Sequence, residues 1–243
     1  MEIKDKVVLI TGASAGIGLA TARRFATAGA KAALAARSIE KLDQLADELR
    51  SQGHEAIAVP TDMRNKAEVD QLVAATLQHF GRIDILINNA GQATAGTIAD
   101  VSIDHYRQIM ELNVFGPLYA MQAVIPKMRQ TGGGLILNIS SMVSKMNIPG
   151  LATYASTKSA LNMLSDTARV ELRPDNIRVI TVYPRVTATD FGRNSLGNPQ
   201  MRQRQRTNVG ADVVVDSPEF VAEKILEAAQ TEPAEQYMDG RGA

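Results

Sequence analysis

Tyr154 and Lys158 stand four residues apart in this 243-residue chain, with Ser141 upstream of them at the end of a strand-like run. Positions four apart lie one above the other on a helix, so a phenol and an ammonium share a face. The cation favours the phenolate and makes the pair a proton donor and acceptor. A free tyrosine has a pKa of about 10, so reaching neutrality requires about 3 units, or about 4 kcal/mol of differential stabilisation. Lys158 is expected to supply part of it, and the Ser141 hydroxyl to hold the reacting oxygen. Such a set suits the interconversion of a carbonyl and an alcohol. Taken singly, Tyr154 reads as readily as a buried helix tyrosine and Ser141 as a strand-end serine. The functional reading therefore depends on what surrounds them.

The surrounding pattern alternates short β-branched runs with helical stripes. Strands are expected at Val7 to Ile10, Ala32 to Ala35, Ala56 to Val59, Ile83 to Ile87, Leu135 to Ile139 and Ile177 to Val182, several apolar throughout. Helical stripes run Ile39-Leu42-Leu45-Ala46-Leu49, Val69-Leu72-Val73-Thr76-Phe80 and Val114-Leu118-Met121-Ile125-Met128. Repeated βα order predicts an α/β, doubly wound parallel sheet of the Rossmann kind. Its ligands should lie at the carboxyl ends of the strands. No Pro/Gly/Ser-rich linker divides the chain, so residues 1–243 read as one domain, with a small lid at about 186–212 after the sixth strand.

Composition narrows the classes. At 45% hydrophobic and 21% charged the chain reads as a globular protein, and 26 basic residues balance 26 acidic ones, so no overall field favours nucleic acid or an anionic membrane. Without cysteine there is no thiolate nucleophile and no Cys-based zinc site, and a cytoplasmic location is the default expectation. No signal-peptide pattern precedes the first strand, and no apolar run is long enough to span a bilayer. His54, His79 and His105 lack ligand spacing, so no metal is assigned.

After the first strand comes Thr11-Gly12-Ala13-Ser14-Ala15-Gly16-Ile17-Gly18 and then a helical run to Ala28. Glycines there permit a tight turn, and the helix N-terminus offers N–H groups to a pyrophosphate. Glycines alone are also turn and packing devices. The strand before and the helix after favour dinucleotide binding. The second strand ends at Ala36-Arg37-Ser38, where an acidic residue would grip the ribose of NAD. Arg37 and Ser38 suit a 2′-phosphate instead, which favours NADP(H) over NAD(H); the plain alternative is an exposed helix-start arginine.

Thr11-Gly-x-x-x-Gly-Ile-Gly18, Asn88-Asn89-Ala90-Gly91, Asn113, Ser141 and Tyr154-x-x-x-Lys158 occur in order. As a set they resemble the compact single-domain short-chain dehydrogenases/reductases over nearly the whole chain. The resemblance implies an oxidoreductase in which Tyr154 is the general acid and base. It puts Lys158 on the nicotinamide ribose and Ser141 on the substrate oxygen. Gly12, Ser14, Gly16, Ile17 and Gly18 would cradle the cofactor, with Asp62 and Met63 at the adenine and Asn89, Ala90 and Gly91 along the ribose. Pro184, Thr187 and Thr189 complete the cofactor set, while Asn88 reads as structural.

Asn113 has two open readings. If the helix already runs through it, Pro117 denies its carbonyl the usual donor and frees it for a water linking Lys158 to solvent, a relay the resemblance also suggests. Alternatively, a helix simply begins at Pro117. Substrate choice is less legible. Met142, Val143, Met146, Ile148, Phe191, Leu196 and Met201 suggest a partly apolar pocket under a mobile lid, with core filling as the alternative. Arg193, Arg202, Arg204 and Arg206 read as a solvated face before an anion site. Two departures stand out: Tyr183-Pro184-Arg185 where the family has Pro-Gly, and a shortened end at Glu235 to Ala243.

The expected partners are a small carbonyl or alcohol substrate and a second copy of the chain. A homodimer or homotetramer would pair the helices around 114–129 and 154–172, which carry apolar or small residues on more than one face. Two other function classes remain: a catalytically weak dinucleotide-binding sensor or scaffold, and an isomerase or lyase with tightly held cofactor.

Overall fold

The computed structural model describes residues 1–197 and 214–239. Seven parallel strands form one sheet in the order β3-β2-β1-β4-β6-β7-β9. They are β1 (Val7–Thr11), β2 (Lys31–Ala36), β3 (Ala56–Pro60), β4 (Ile85–Asn88), β6 (Gly134–Ile139), β7 (Ile177–Tyr183) and β9 (Glu235–Tyr237). The order reverses between β1 and β4, which opens the ligand crevice of a doubly wound sheet at their carboxyl ends.

Both faces of the sheet are covered, and strand alternation divides the core accordingly. Val8, Ile10, Leu34, Ile85, Ile87 and Leu137 point to one face, against α1 (Gly16–Thr27), α2 (Ile39–Ser51) and α7 (Pro218–Thr231). Leu9, Ala33, Ala35, Leu86 and Ile136 point to the other, against α3 (Lys66–Phe80) and α5 (Gly116–Gln130). Local chemistry sets the ends. The side chains of Asn65 and Ser217 accept from Ala67 and Phe220 to cap α3 and α7, and Gly81 closes α3 in the left-handed region at φ 78°.

Three features differ from the sequence expectations. The fourth strand starts at Ile85, because the Asp84 carboxylate accepts from the Val7 N–H at 2.9 Å and from Arg82. The helix expected at Val114 belongs to a longer helical run: α4 (Ile103–Met110) passes through a π-helical turn at Glu111–Phe115 directly into α5. The helix therefore runs through Asn113 and does not start at Pro117. Third, β5 (Thr94–Ala95) and β8 (Leu196–Gly197) pair in a small second sheet that no periodicity foretells, each being two residues long. Positions 198–212 of the expected lid, including Met201, Arg202, Arg204 and Arg206, lie outside the described residues.

Candidate active site

Ser141, Tyr154, Lys158 and Asn113 converge at the carboxyl end of β6. Ser141 follows that strand in extended backbone and accepts from the Val143 N–H at 3.3 Å. Tyr154 and Lys158 lie on the buried face of α6 (Ala152–Glu171), at 8% and 4% exposure. Lys158 Nζ donates to the Ile139 carbonyl at 2.8 Å, and the Ser141 hydroxyl lies near enough to the Tyr154 phenol to lower its proton affinity.

Burial sets the proton affinities. It pushes the Tyr154 phenol up to about 12, the nearby Ser141 hydroxyl pulling the other way, and lowers the Lys158 ammonium to about 8. The phenol shift is opposite in direction to the one the Tyr-Lys spacing predicts. Desolvation of the buried phenol is the largest cause, and Lys158, itself buried, directs a donor to the Ile139 carbonyl. At neutral pH Tyr154 holds its proton.

Asn113 is fully buried on the π turn. Its amide grips one main-chain unit from both sides: Oδ1 accepts from Gln92 N at 2.9 Å, and Nδ2 donates to Gln92 O at 2.8 Å and to Thr157 Oγ1 at 3.0 Å. Pro117, four residues on, has no N–H to give the Asn113 carbonyl. π turns interrupt helices frequently at functional sites.

The glycine loop is built by close approach. Gly12 has φ 68°, and a Cβ there would lie 2.9 Å from Ala90 Cα; at Gly18 a Cβ would meet Gly12 O at 2.2 Å. Thr11 Oγ1 accepts from the Asn89 and Ala90 N–H groups at 3.0 Å, and Asn89 Nδ2 donates to Thr11 O and Gly12 O at 2.9 and 3.2 Å. Asn89 thus braces the loop in addition to lining it, while Asn88 reaches Asn138 on the next strand at 2.8 Å. Ser14 and Ile17 are half-buried at the loop, and Gly91 lies beside Asn113 Oδ1 and Lys158 Nζ.

Toward β2 and β3, Arg37 and Ser38 are exposed. Arg37 has no hydrogen bond or ion pair among the described residues, and Ser38 precedes α2 without capping it. The Asp62 carboxyl is held below its usual range chiefly by Arg64, with a smaller contribution from Arg37. Met63 belongs to the core, so only its main chain is left for a ligand. At the other end, Pro184 O accepts from Met142 N at 2.9 Å, Thr187 Oγ1 donates to Arg185 O at 3.1 Å, and Thr189 Oγ1 accepts from Phe191 N at 3.3 Å.

Val143 packs with Tyr154, Ala93 and Ile109, and Leu196 covers them; the Phe191 ring lies 5.8 Å from that of Tyr154. Met146 and Ile148 are exposed. Arg193 pairs with Asp190 at 2.8 Å in solvent. Sequence reading passed over Gln92, Thr157, Asn138 and Asn162. Apart from half-buried Gln92, their only signal is polarity at buried positions, as where Ser140 Oγ donates to Asn162 Oδ1 and Asn162 Nδ2 to Ser144 Oγ, tying the Ser141 loop to α6.

The residues fit a nicotinamide dinucleotide: glycine approaches that any Cβ would fill, an uncommitted Arg37 and Ser38 at one end, and Lys158 at the other. The family model described as short chain dehydrogenase matches residues 6–199, and the chain belongs to that family. It is 32% identical to "Uncharacterized oxidoreductase YxnA" of Bacillus subtilis (strain 168) over 98% of this chain and 66% of that protein. Several curated relatives are longer, the chain spanning 61–66% of their length. Among solved structures it resembles a short chain dehydrogenase/reductase from Burkholderia phymatum in complex with NAD, with TM-score 0.89 and 26% identity over 98% of this chain and 90% of that one. It also resembles an alcohol dehydrogenase from the archaeon Thermococcus sibiricus complexed with 5-hydroxy-NADP, with TM-score 0.82 and 30% identity over 96% of each. Among the described residues no helix is long and apolar enough to cross a membrane.

Proposed function

We propose that the chain is an oxidoreductase interconverting a ketone or aldehyde and an alcohol with NADP(H), Tyr154 serving as general acid and base. The carrying observation is the burial of Tyr154 and Lys158 on one face of α6 beside Ser141, at the strand end facing the glycine loop. When bound, the dinucleotide gives or accepts a hydride at its nicotinamide ring. Gly12, Gly16 and Gly18 admit its pyrophosphate to the N-terminus of α1, and Lys158 lies where a ribose hydroxyl would receive an N–H. Ser141 donates to the substrate oxygen. In reduction Tyr154 gives that oxygen its proton, and in oxidation it takes the proton back. The protonated phenol of the free protein is the form that reduction requires. The Asn113 carbonyl, denied its donor by Pro117, holds a water through which Lys158 exchanges protons with solvent.

Arg37 and Ser38 support NADP(H), because a guanidinium without a partner and a free hydroxyl suit a 2′-phosphate. Solved structures of similar fold carry NAD in one case and 5-hydroxy-NADP in another, so the preference rests on these two side chains. We also infer a homodimer through α6, whose Met163 and Val170 are 66% and 75% exposed, alongside the stacked Phe115 and Tyr119 of the π turn and α5.

The test is a spectrophotometric panel of apolar ketones, aldehydes and secondary alcohols against both nicotinamide cofactors. Turnover with NADPH preferred is expected. Tyr154→Phe should lower it by about 10²–10⁴-fold while retaining NADPH binding. Arg37→Ala should weaken NADPH about tenfold or more and leave NADH unchanged. Cofactor binding without turnover on any substrate would favour a sensor or scaffold, and a wild-type preference for NADH would refute the cofactor assignment.

A further inference from the structure

Arg185 follows Pro184 where the family pattern has glycine, and its side chain is paired within the protein. Nε donates to Asp216 Oδ2 at 3.0 Å and Nη2 to Asp216 Oδ1 at 2.8 Å, a bidentate pair. The Asp216 side chain is 4% exposed and that of Arg185 28%. With Nε and Nη2 committed to a buried carboxylate, the guanidinium charge of Arg185 is matched within the protein. Asp216 also holds the main chain opposite: its N–H donates to Val186 O at 2.8 Å, and its carbonyl accepts from Ala188 N at 2.9 Å, bridging to Thr187.

The segment from Pro184 to Thr189 is therefore pinned on two sides, to Met142 beside Ser141 and to Asp216 before α7. Its far end reaches the glycine loop, where a Cβ on Gly16 would come within 3.0 Å of the Thr189 methyl. Phe191, just beyond, packs on Tyr154. This strap lies on the β6 and β7 side of the crevice, together with Ser141 and Tyr154, whereas Arg37 and Asp62 lie across it beyond β2 and β3.

We propose that Arg185 and Asp216 are a positioning pair that fixes the strap from Pro184 to Thr189 and so sets affinity for the nicotinamide half of the cofactor. The proposal rests on the cofactor reading above. Removing one partner leaves a buried carboxylate or an unpaired guanidinium, so the strap loses its fixed place while the adenosine end is untouched.

The experiment compares wild type, Arg185→Met and Arg185→Lys by calorimetric titration with the preferred dinucleotide and with its adenosine fragment (2′,5′-ADP for NADPH, ADP for NADH), and records a thermal unfolding transition for each. Arg185→Met should bind the whole dinucleotide about tenfold more weakly and the fragment unchanged, with Arg185→Lys between, because it keeps the charge and loses the fork. Equal losses for dinucleotide and fragment would overturn the proposal in favour of a general folding role. So would unchanged binding of both. Wild type that binds neither dinucleotide would instead overturn the cofactor reading, and this inference with it.

Discussion

Lys158 carries its charge in a place that opposes it. Its ammonium is 4% exposed, lowered to about 8 by burial, and met by one carbonyl. A lysine whose folded pKa lies below the unfolded 10.5 makes the folded state bind fewer protons. Its penalty is full below pH 8 and is relieved as pH rises from 8 toward 10.5. The shift corresponds to about 3 kcal/mol, of which the lost Ile139 hydrogen bond would return about 1 in a neutral variant. Lys158→Met is accordingly expected to be more stable than wild type by about 2 kcal/mol at pH 7, the difference shrinking as pH rises from 8 toward 10.5. Thermal unfolding of both proteins across that range checks it. A stabilised but inactive variant is the pattern expected where a site holds its groups against their own solvation. Residue types and spacing picked out Ser141, Tyr154 and Lys158, which the fold brings together. They did not disclose the direction of the Tyr154 shift, because desolvation depends on what packs over the phenol.

At the scale of elements, a polar ladder inside the apolar core keeps the site's parts in register. Asn88 on β4 donates to Asn138 on β6 at 2.8 Å, and Asn138 Nδ2 donates to Ser165 on α6 at 2.8 Å. The three residues tie two strands to the helix that carries Tyr154 and Lys158. Asn138→Ala strands the Asn88 amide away from water, so a loss of about 2–3 kcal/mol is expected. Asn88→Ala combined with Asn138→Ala should cost clearly less than the sum of the single changes, since both break one link. Urea unfolding of the four proteins measures this. The six main strands were legible because each is a short apolar run, and α2, α3 and α5 because their stripes repeat. The π turn was not, since Glu111 to Phe115 carry no signal apart from Pro117 beyond them. Nor were β5 and β8, whose pairing joins Thr94 and Ala95 to residues about a hundred positions away.

At the scale of the whole molecule, the π turn and the outer face of α6 expose Phe115, Met163 and Val170. A second copy is the proposed cover. Met163→Lys with Val170→Lys should move the protein from dimer to monomer in light scattering while leaving the fold intact by circular dichroism; a monomeric wild type would reject the pairing. The amino-acid sequence by itself determined the order of elements, the parallel sheet and the choice of candidate site residues, because hydrophobic period, glycine placement and ordered motifs are local properties of the chain. Only the tertiary structure decided what those residues do to one another. Burial set the proton on Tyr154, the amide of Asn113 was spent on Gln92, and Arg185, a departure from the family's glycine, found its partner in Asp216. Each outcome depends on distances between residues far apart in the chain, which the linear order does not contain.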